Sequence, residues 1–418
     1  MSHAPHEPRK HTPGEPGTEE GQVPSQRGPD HEGVVPEDRT RETEPADRGQ
    51  DDREPADHGP VGGESPGPVH IGRGDHEPGQ RLPALAALVV LAAACAVGLV
   101  LLSTNMFGAL RVYAAPAVLA FLLCALTYAV GFWIFRRIRP VRAPRLPVAV
   151  LATVWGLLAA TGVAAYANTG MGGLWGQILG YEAAGAWGAA LTAPINEEFL
   201  KLAGVVVIAV AFPHALRGPI DGFIFGALVG VGFEVTENFL YALHSISQSG
   251  ALAPATSVTE TTVIRVVLTG LGSHWAMSAI AGTAVGLLAA VAWRPGARRA
   301  LAAVGLVLLA MLGHFFFDSP LLGEGLFGVA AKVAFVFLSA MAVYFTIRHT
   351  FRSRVKRSLS EQGKDLGMRR SDAKALASRR GRHKALASVA RPERPEVRRR
   401  QERMVEEAED RAARYAVN

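Results

Sequence analysis

Long apolar runs fill the middle of the chain, while both ends are polar and rich in Pro, Gly, Arg and Glu. Each run reaches the length of about 20 residues that a membrane-spanning helix requires. Together they predict an all-α polytopic membrane protein with about eight transmembrane helices. The Gly-rich residues 168–186 leave counts of seven or nine open, because they could form a re-entrant or interfacial piece. The predicted spans cover residues 83–103, 114–135, 146–167, 187–212, 219–244, 263–293, 299–318 and 325–347.

Composition divides the chain into three parts. Residues 1–81 carry mixed charge, many Pro and Gly and few aromatic residues, a composition that predicts a disordered tail. Residues 82–348 form the predicted multi-span membrane domain. Residues 349–418 are basic and predict a tail that is partly helical or disordered, with a charged helix from about Arg398. Basic residues beside a membrane favour the lipid bilayer as a partner, and no nucleic acid partner is expected because aromatic residues for stacking are scarce.

The basic residues of the loops predict the orientation of the membrane domain. Alternate loops carry arginines, at Arg136–Arg145, at Arg217, at Arg294–Arg299 and after residue 347. The loops between them contain almost no Lys or Arg. By the positive-inside rule, this alternation predicts an integral plasma membrane protein with both termini in the cytoplasm.

Ionisable residues interrupt four of the apolar runs. A charged side chain near the bilayer centre costs about 2.5–3.5 kcal/mol on insertion scales, so a group of them calls for a functional reason. Ten residues inside a helix corresponds to about 15 Å, and on this measure the groups lie at overlapping depths in the outer half of the membrane. The ionisable residues are Glu197, Glu198, Lys201, Glu234, Glu237, His274, His314 and Asp318, and the polar Asn238 lies next to Glu237.

Helical spacing groups these residues further. Lys201 is three residues from Glu198 and four from Glu197, and His314 is four residues from Asp318, so each set shares a helix face. Glu234 shares a face with Glu237 and Asn238 in the same way. Structural alternatives remain open for each set taken alone. These are a buried Glu197–Lys201 ion pair, a His274 hydrogen-bonded to a neighbouring helix, and a solvated helix end at His314 and Asp318.

Four short motifs carry a family resemblance. EEFLK at Glu197–Lys201, FEVTEN at Phe233–Asn238, HWAMSAIAG from His274 and GHFFFD at Gly313–Asp318 resemble the motifs of the PrsW family. That family comprises glutamic-type intramembrane proteases and is distantly similar to the CAAX prenyl proteases. The resemblance covers about residues 146–347. It implies an endopeptidase that cleaves a membrane-anchored protein, such as an anti-sigma factor, near the extracytoplasmic side.

The resemblance also implies roles for the site residues. Glu197 or Glu198 would activate a water as general base and then act as acid, with Lys201 controlling their ionisation. His274 and Asn238 would stabilise the oxyanion, and His314, oriented by Asp318, would hold the water or the oxyanion. Glu234 and Glu237 would support the site.

A metal-free mechanism without a cofactor is favoured, because no HExxH motif occurs and every His–Glu pair of the sequence lies before residue 78. The alternative is a metalloprotease with zinc on Glu198, His274 and His314. Two other functions use the same intramembrane residues. A proton-coupled transporter would need Glu and His in a relay, and a non-catalytic membrane scaffold would tolerate the loss of Glu197 or Glu198.

Overall fold

The computed structural model describes residues 78–323 and 325–414, and within these ranges every regular element is a helix. The predicted disorder of residues 1–81 falls almost wholly outside these residues. The membrane domain contains α1 Pro78–Val112, α2 Ala114–Ile138, α3 Leu146–Val154, α4 Thr161–Leu179, α5 Tyr181–Ala211, α6 Pro219–Gln248, α7 Pro254–Ile264, α8 His274–Ala289, α9 Ala297–Asp318 and the first part of α10 Leu326–Asp365. Three shorter helices follow, α11 Arg370–Ala375, α12 Arg379–Ala387 and α13 Arg394–Arg414.

The membrane-spanning helices agree with the predicted count. Within the described residues, seven helical stretches are long and apolar enough to cross a membrane. A further long helix, α5, carries Glu197, Glu198 and Lys201 near its middle, and these charges set it apart from the seven. With α5 included, the described residues contain eight long helices in the membrane domain, as the sequence predicts, and the protein is an all-α integral membrane protein.

Two of the spans are irregular at membrane depth. A π-helical turn, Trp155–Ala160, joins α3 to α4 without a break. Between α7 and α8 the helix passes through a π-helical turn, Arg265–Thr269, and a 3₁₀ turn, Gly270–Gly272. Non-helical backbone at this depth is tolerated where protein covers it or where it lines a cavity. The second break is covered in this way, because Gly272 packs against the backbone of Val333 on α10.

Residues 168–186 form no separate re-entrant piece. Helix α4 continues to Leu179, Gly180 takes a positive φ of 82°, and α5 begins at Tyr181. Glycine adopts this left-handed conformation without the steric cost that a side chain brings. The Gly-rich stretch is thus the end of one span and the turn into the next.

Helix α6 lies at the centre of the bundle and is buried along most of its length. Its contact with α8 depends on small residues, because a Cβ atom at Gly226 would lie 2.1 Å from the carbonyl oxygen of Ser278. A Cβ atom at Gly230 would likewise lie 2.6 Å from the carbonyl oxygen of His274. Such close approach is typical of small-residue interfaces between membrane helices. It holds the start of α8, where His274 lies, against the helix that carries Glu234 and Glu237.

The C-terminal tail is built from helices over residues 349–414, in place of the disorder that composition allowed. Apolar side chains on α10, at the end of α11 and on α13 form a small core, which includes Val355, Leu359, Leu376 and Val405 and is joined by Val141 of the loop after α2. These residues are sparse in a very polar sequence, so average composition conceals them. Burial of this core gives the tail the apolar contacts that a disordered segment lacks.

A buried carboxylate ties the tail to the membrane domain. Glu409 on α13 is fully buried and accepts hydrogen bonds from Arg139 at 2.8 Å and Arg142 at 2.6 Å, and Arg217 lies 3.3 Å away. Arg139 also donates to Asp221 in the first turn of α6, at 2.7 Å. Burial alone would raise the pKa of Glu409, but the charges of Arg139, Arg142 and Arg217 outweigh burial and lower that pKa. Asp221 is thus structural, as its position near a membrane boundary predicts.

Removing the charge of Glu409 should loosen the tail. We expect Glu409→Gln to speed hydrogen exchange of the α13 amides about a hundredfold, since breaking a buried ion pair costs about 3–5 kcal/mol. The measurement is hydrogen exchange followed by mass spectrometry on the full-length protein in detergent. Glu396→Gln is the matched control, because Glu396 pairs with Arg400 on the exposed face of the same helix, where ion pairs contribute little. Equal exchange rates in both variants would show that Glu409 does not hold the C-terminal tail to the membrane domain.

Candidate active site

Lys201 is the centre of a buried polar cluster formed by four helices. Its ammonium group donates to Glu198 Oε1 at 2.6 Å and to Glu197 Oε2 at 3.4 Å, both on α5. It also lies 3.0 Å from His274 Nδ1 at the start of α8 and 4.2 Å from the ring centre of Phe233 on α6. The side chain of Lys201 is completely buried. Lys201 of the EEFLK motif thus contacts both carboxylates of α5 and also residues of α6 and α8.

The contacts of His274 define its neutral tautomer. A charged Lys201 has no lone pair, so Nδ1 of His274 must accept this hydrogen bond. The ring proton is then on Nε2, which donates to Glu237 Oε2 at 2.8 Å. In this state His274 has no N–H left for a substrate. The hydrogen bonds of His274 therefore do not favour its predicted role as a donor to the oxyanion.

His314 on α9 reaches the same cluster from another side. Its Nδ1 lies 2.9 Å from Glu198 Oε1, and this carboxylate oxygen accepts the ring proton. The side chain is 1% exposed, so the predicted alternative of a solvated helix end is wrong for His314. Asp318 lies 3.4 Å from Nε2 of the same ring. The shorter contact shows that Glu198 orients His314 more directly than Asp318 does.

Three donor atoms of the cluster converge on one point. With the tautomers above, the lone pairs that could bind a metal are on Nε2 of His314 and on Nδ1 of His274, where Lys201 now donates. Each of these two atoms lies 3.7 Å from Glu197 Oε2. Glu197, His274 and His314 are all buried, and the ligand atoms that they offer lie within 4.8 Å of one another. Ligands of tetrahedral zinc are separated by about 3.3–3.5 Å for bonds of about 2.0–2.1 Å. Two histidines and a glutamate are also a known ligand set for catalytic zinc.

The polar groups behind these donors fit zinc as well. Glu237 accepts from Nε2 of His274, and the side-chain amide of Asn168 donates to Glu197 Oε1 at 2.8 Å. Such outer partners fix the orientation of metal ligands. Lys201 contacts two of the three donor atoms, so its ammonium group and a metal ion compete for the same position. The set also differs from the predicted zinc ligands, because Glu197 converges with the histidines whereas Glu198 is held by Lys201 and His314.

Glu198 retains one oxygen with no partner. Its Oε2 is buried and makes no hydrogen bond to any described residue, whereas Oε1 contacts both Lys201 and His314. Both oxygens of Glu197, by contrast, are engaged by Asn168 and Lys201. A buried polar atom without a partner is costly and rare. This unpartnered oxygen distinguishes Glu198 from the adjacent Glu197.

The residues of this cluster lie within the part of the chain that matches a known family. Residues 144–347 match the model of a family described as PrsW family intramembrane metalloprotease. The chain carries a PrsW-family domain. All four sequence motifs lie within the matched residues, and the matched range agrees with the predicted 146–347. No curated protein and no solved structure matches the chain.

Other polar residues of the PrsW-family domain complete the cluster, and sequence reasoning missed them. Arg265, in the π-helical turn before α8, donates to Asn238 Oδ1 and Glu237 Oε2, each at 2.5 Å. Asn196 donates to Asn168 Oδ1 at 2.8 Å, and Asn168 in turn reaches Glu197. A lone Arg inside an apolar run was the available signal for Arg265. Nothing in the local sequence distinguishes Asn168 from an ordinary loop residue.

Two of the predicted supporting residues lie further from the converging donors. Asn238 is joined to Glu237 through Arg265. Glu234 accepts a hydrogen bond from Ser273 at 2.7 Å and lines a largely apolar cavity of about 520 Å³ between α2, α8 and α10. Glu234 and Glu237 therefore belong to different surroundings although they are one helical turn apart.

A cavity of about 270 Å³ lies next to the converging donors in the PrsW-family domain. Asp318 lines it, together with Thr269 of the broken helix and Lys332 of α10. Lys332 is buried and donates to the carbonyl oxygen of Ser319. Asp318 also lies 3.4 Å from Nε2 of His314, so one residue of the cavity wall contacts the cluster.

Proposed function

We propose that this chain is an intramembrane endopeptidase that hydrolyses a peptide bond of a membrane-anchored protein. The observation that carries the proposal is the unpartnered Oε2 of Glu198, in the buried cluster in which Glu197, His274 and His314 offer three converging atoms. Peptide hydrolysis needs a base for the water, and a buried carboxylate oxygen with no other partner is suited to that task. Membership of an intramembrane protease family supports the same reaction.

In the proposed reaction Glu198 is the general base. Oε2 takes a proton from the attacking water while the water oxygen bonds to the carbonyl carbon of the substrate. The same carboxyl group then gives that proton to the amide nitrogen as the C–N bond breaks. Lys201 and His314 hold Oε1 throughout, which keeps Oε2 directed at the water. This assigns the two glutamates different roles, Glu198 as base and Glu197 as the carboxylate that converges with the histidines.

The three donor atoms favour zinc as the group that would stabilise the oxyanion. Glu197, His274 and His314 are the residues that would hold it, and zinc bound there would polarise the substrate carbonyl and lower the pKa of a water to about 7. His274 and Glu197 would be fixed by Glu237 and Asn168 in that role. The metal-free mechanism favoured by the sequence instead uses Asn238 and His274 as donors to the oxyanion, with Lys201 controlling the ionisation of the glutamates. The two mechanisms share Glu198 as base.

The proposed substrate is a single-span membrane protein of the anti-sigma-factor type, cut near the extracytoplasmic side. The arginine-rich loops support an orientation with both termini in the cytoplasm of a plasma membrane protein. With that orientation, the cluster and the cavity at Asp318 lie in the outer half of the bilayer. A substrate helix would then reach the site laterally from lipid.

The test is cleavage of doubly tagged single-span membrane proteins by the full-length protein in liposomes, with the cut position mapped by mass spectrometry. We expect two fragments from a cut in the outer half of the span, and we expect His274→Ala to abolish them. His244→Ala is the matched control, because His244 is exposed near the end of α6. If no substrate is cut and the liposomes instead show pH-driven proton flux that His274→Ala removes, the proton-coupled transporter is the correct function.

A further inference from the structure

A cavity of about 210 Å³ lies at the opposite end of the bundle from Asp318, where the C-terminal helix packs on the membrane domain. Its wall includes the N-terminus of α6 at Gly218 and Pro219, and Ala412 of α13. Three arginines also line it: Arg217 before α6, Arg299 in the first turn of α9, and Arg354 on α10. The cavity is thus enclosed by five segments, at the start of α6, the end of α8, the start of α9, on α10 and on α13, and three of them contribute a guanidinium group.

The positive charge around this cavity exceeds the negative charge. The carboxylates of Asp221 and Glu409 are already paired with Arg139, Arg142 and Arg217. Arg299 and Arg354, in contrast, form no ion pair with any described residue, and they lie close enough together to repel each other. Each arginine that binds an anion needs an acceptor for its N–H groups. The excess charge therefore favours the binding of an anion that the described residues do not supply.

Unused hydrogen-bond donors point to the same conclusion. Nε of Arg217 and Nη1 of Arg299 are both buried without a hydrogen-bond partner among the described residues. Buried polar groups are rarely left in this state, and an unplaced ligand is one of the standard explanations. Both residues line the cavity, so a single anion within it could satisfy donors from two chain segments. The N-terminus of the 30-residue helix α6 adds favourable partial charge there.

The remaining walls indicate what carries the anion. They are largely apolar and belong to the ends of membrane helices, with Ile220, Leu287, Ile347 and Phe351 among them. A free phosphate ion has no use for such walls, whereas a lipid presents a phosphate next to acyl chains. We propose that this cavity binds the phosphate headgroup of an anionic phospholipid, with Arg299 and Arg354 as its main ligands. Lipid bound there would bridge α6, α9, α10 and the C-terminal tail.

The experiment compares lipid binding to the full-length protein and two double variants. Native mass spectrometry from uncharged detergent measures the affinity for phosphatidylglycerol, for phosphatidylcholine and, separately, for inorganic phosphate. We expect the wild-type protein to prefer phosphatidylglycerol, and Arg299→Gln with Arg354→Gln to lower that affinity about thirtyfold. Arg298→Gln with Lys356→Gln removes the same charge from exposed neighbours outside the cavity and should leave the affinity within about twofold.

Thermal denaturation of each variant in the same detergent shows that it is folded. Equal losses of affinity in the two double variants would mean that general surface charge binds the lipid, which overturns the site. Equal affinity for phosphatidylglycerol and phosphatidylcholine would overturn it as well. Binding of inorganic phosphate that depends on Arg299 and Arg354, with no preference among the lipids, would replace the lipid by free phosphate and overturn the proposal as stated.

Discussion

Glu198→Gln is expected to lower the rate of substrate cleavage by at least about a hundredfold, and Glu182→Gln on the same helix is expected to leave it unchanged. The substitution keeps the size of the side chain but replaces the unpartnered Oε2 by an amide or by an oxygen that cannot accept a proton. General base catalysis contributes about 10²–10⁴-fold to rate. The measurement is the initial rate of fragment formation in liposomes at equal protein level.

Glu197→Gln distinguishes the roles of the two glutamates when it is measured beside Glu198→Gln. If Glu197 is the carboxylate that converges with the histidines, its substitution should weaken metal binding as well as cleavage, whereas Glu198→Gln should lower cleavage with metal content unchanged. Glu182 is exposed in the first turn of α5, so its variant controls for loss of a carboxylate on that helix. An unchanged cleavage rate in the Glu198→Gln variant would show that Glu198 is not the general base.

The sequence was sufficient to predict the helical membrane fold and most of the cluster. Long apolar runs determine spanning helices almost without regard to packing, because the bilayer leaves few alternatives. Glu197, Glu198, Lys201, His274 and His314 were predictable for a related reason. Ionisable residues are so costly inside a membrane that those present tend to converge on one site.

The details that could not be predicted are those that depend on contacts between distant segments. The polar sequence of α7 conceals the first half of a broken span, which is why the predicted segment begins at 263 and the helical stretch at Pro254. The different partners of Glu197 and Glu198 arise from Asn168 and His314, 29 and 116 residues away respectively. Glu409 became part of a buried ion-pair network through arginines about 190–270 residues away. Composition and helical spacing carry no information on these pairings.

Lys201→Met is expected to destabilise the metal-free protein strongly, and added zinc is expected to restore most of the loss. Without the ammonium group, Glu197 and Glu198 keep two buried negative charges with no cation between them, a change that costs about 3–5 kcal/mol for a buried pair. The donor atoms of Glu197, His274 and His314 remain in place, and a zinc ion would supply the missing charge at the position that Lys201 leaves. Zinc at a hundred times its dissociation constant would return about 2.7 kcal/mol.

The measurement is the thermal denaturation midpoint of the chelator-treated protein in detergent, with and without zinc, and needs no substrate. Lys201→Met combined with His314→Ala is the matched control, because it removes one of the three donors while leaving both glutamates. Recovery by zinc in the single variant but not in the double variant would locate the metal at these residues. If zinc leaves the midpoint of Lys201→Met unchanged, the ammonium group is the permanent cation of the site. The metal-free mechanism would then be the correct one, because Lys201 would occupy the only position at which the three donor atoms converge.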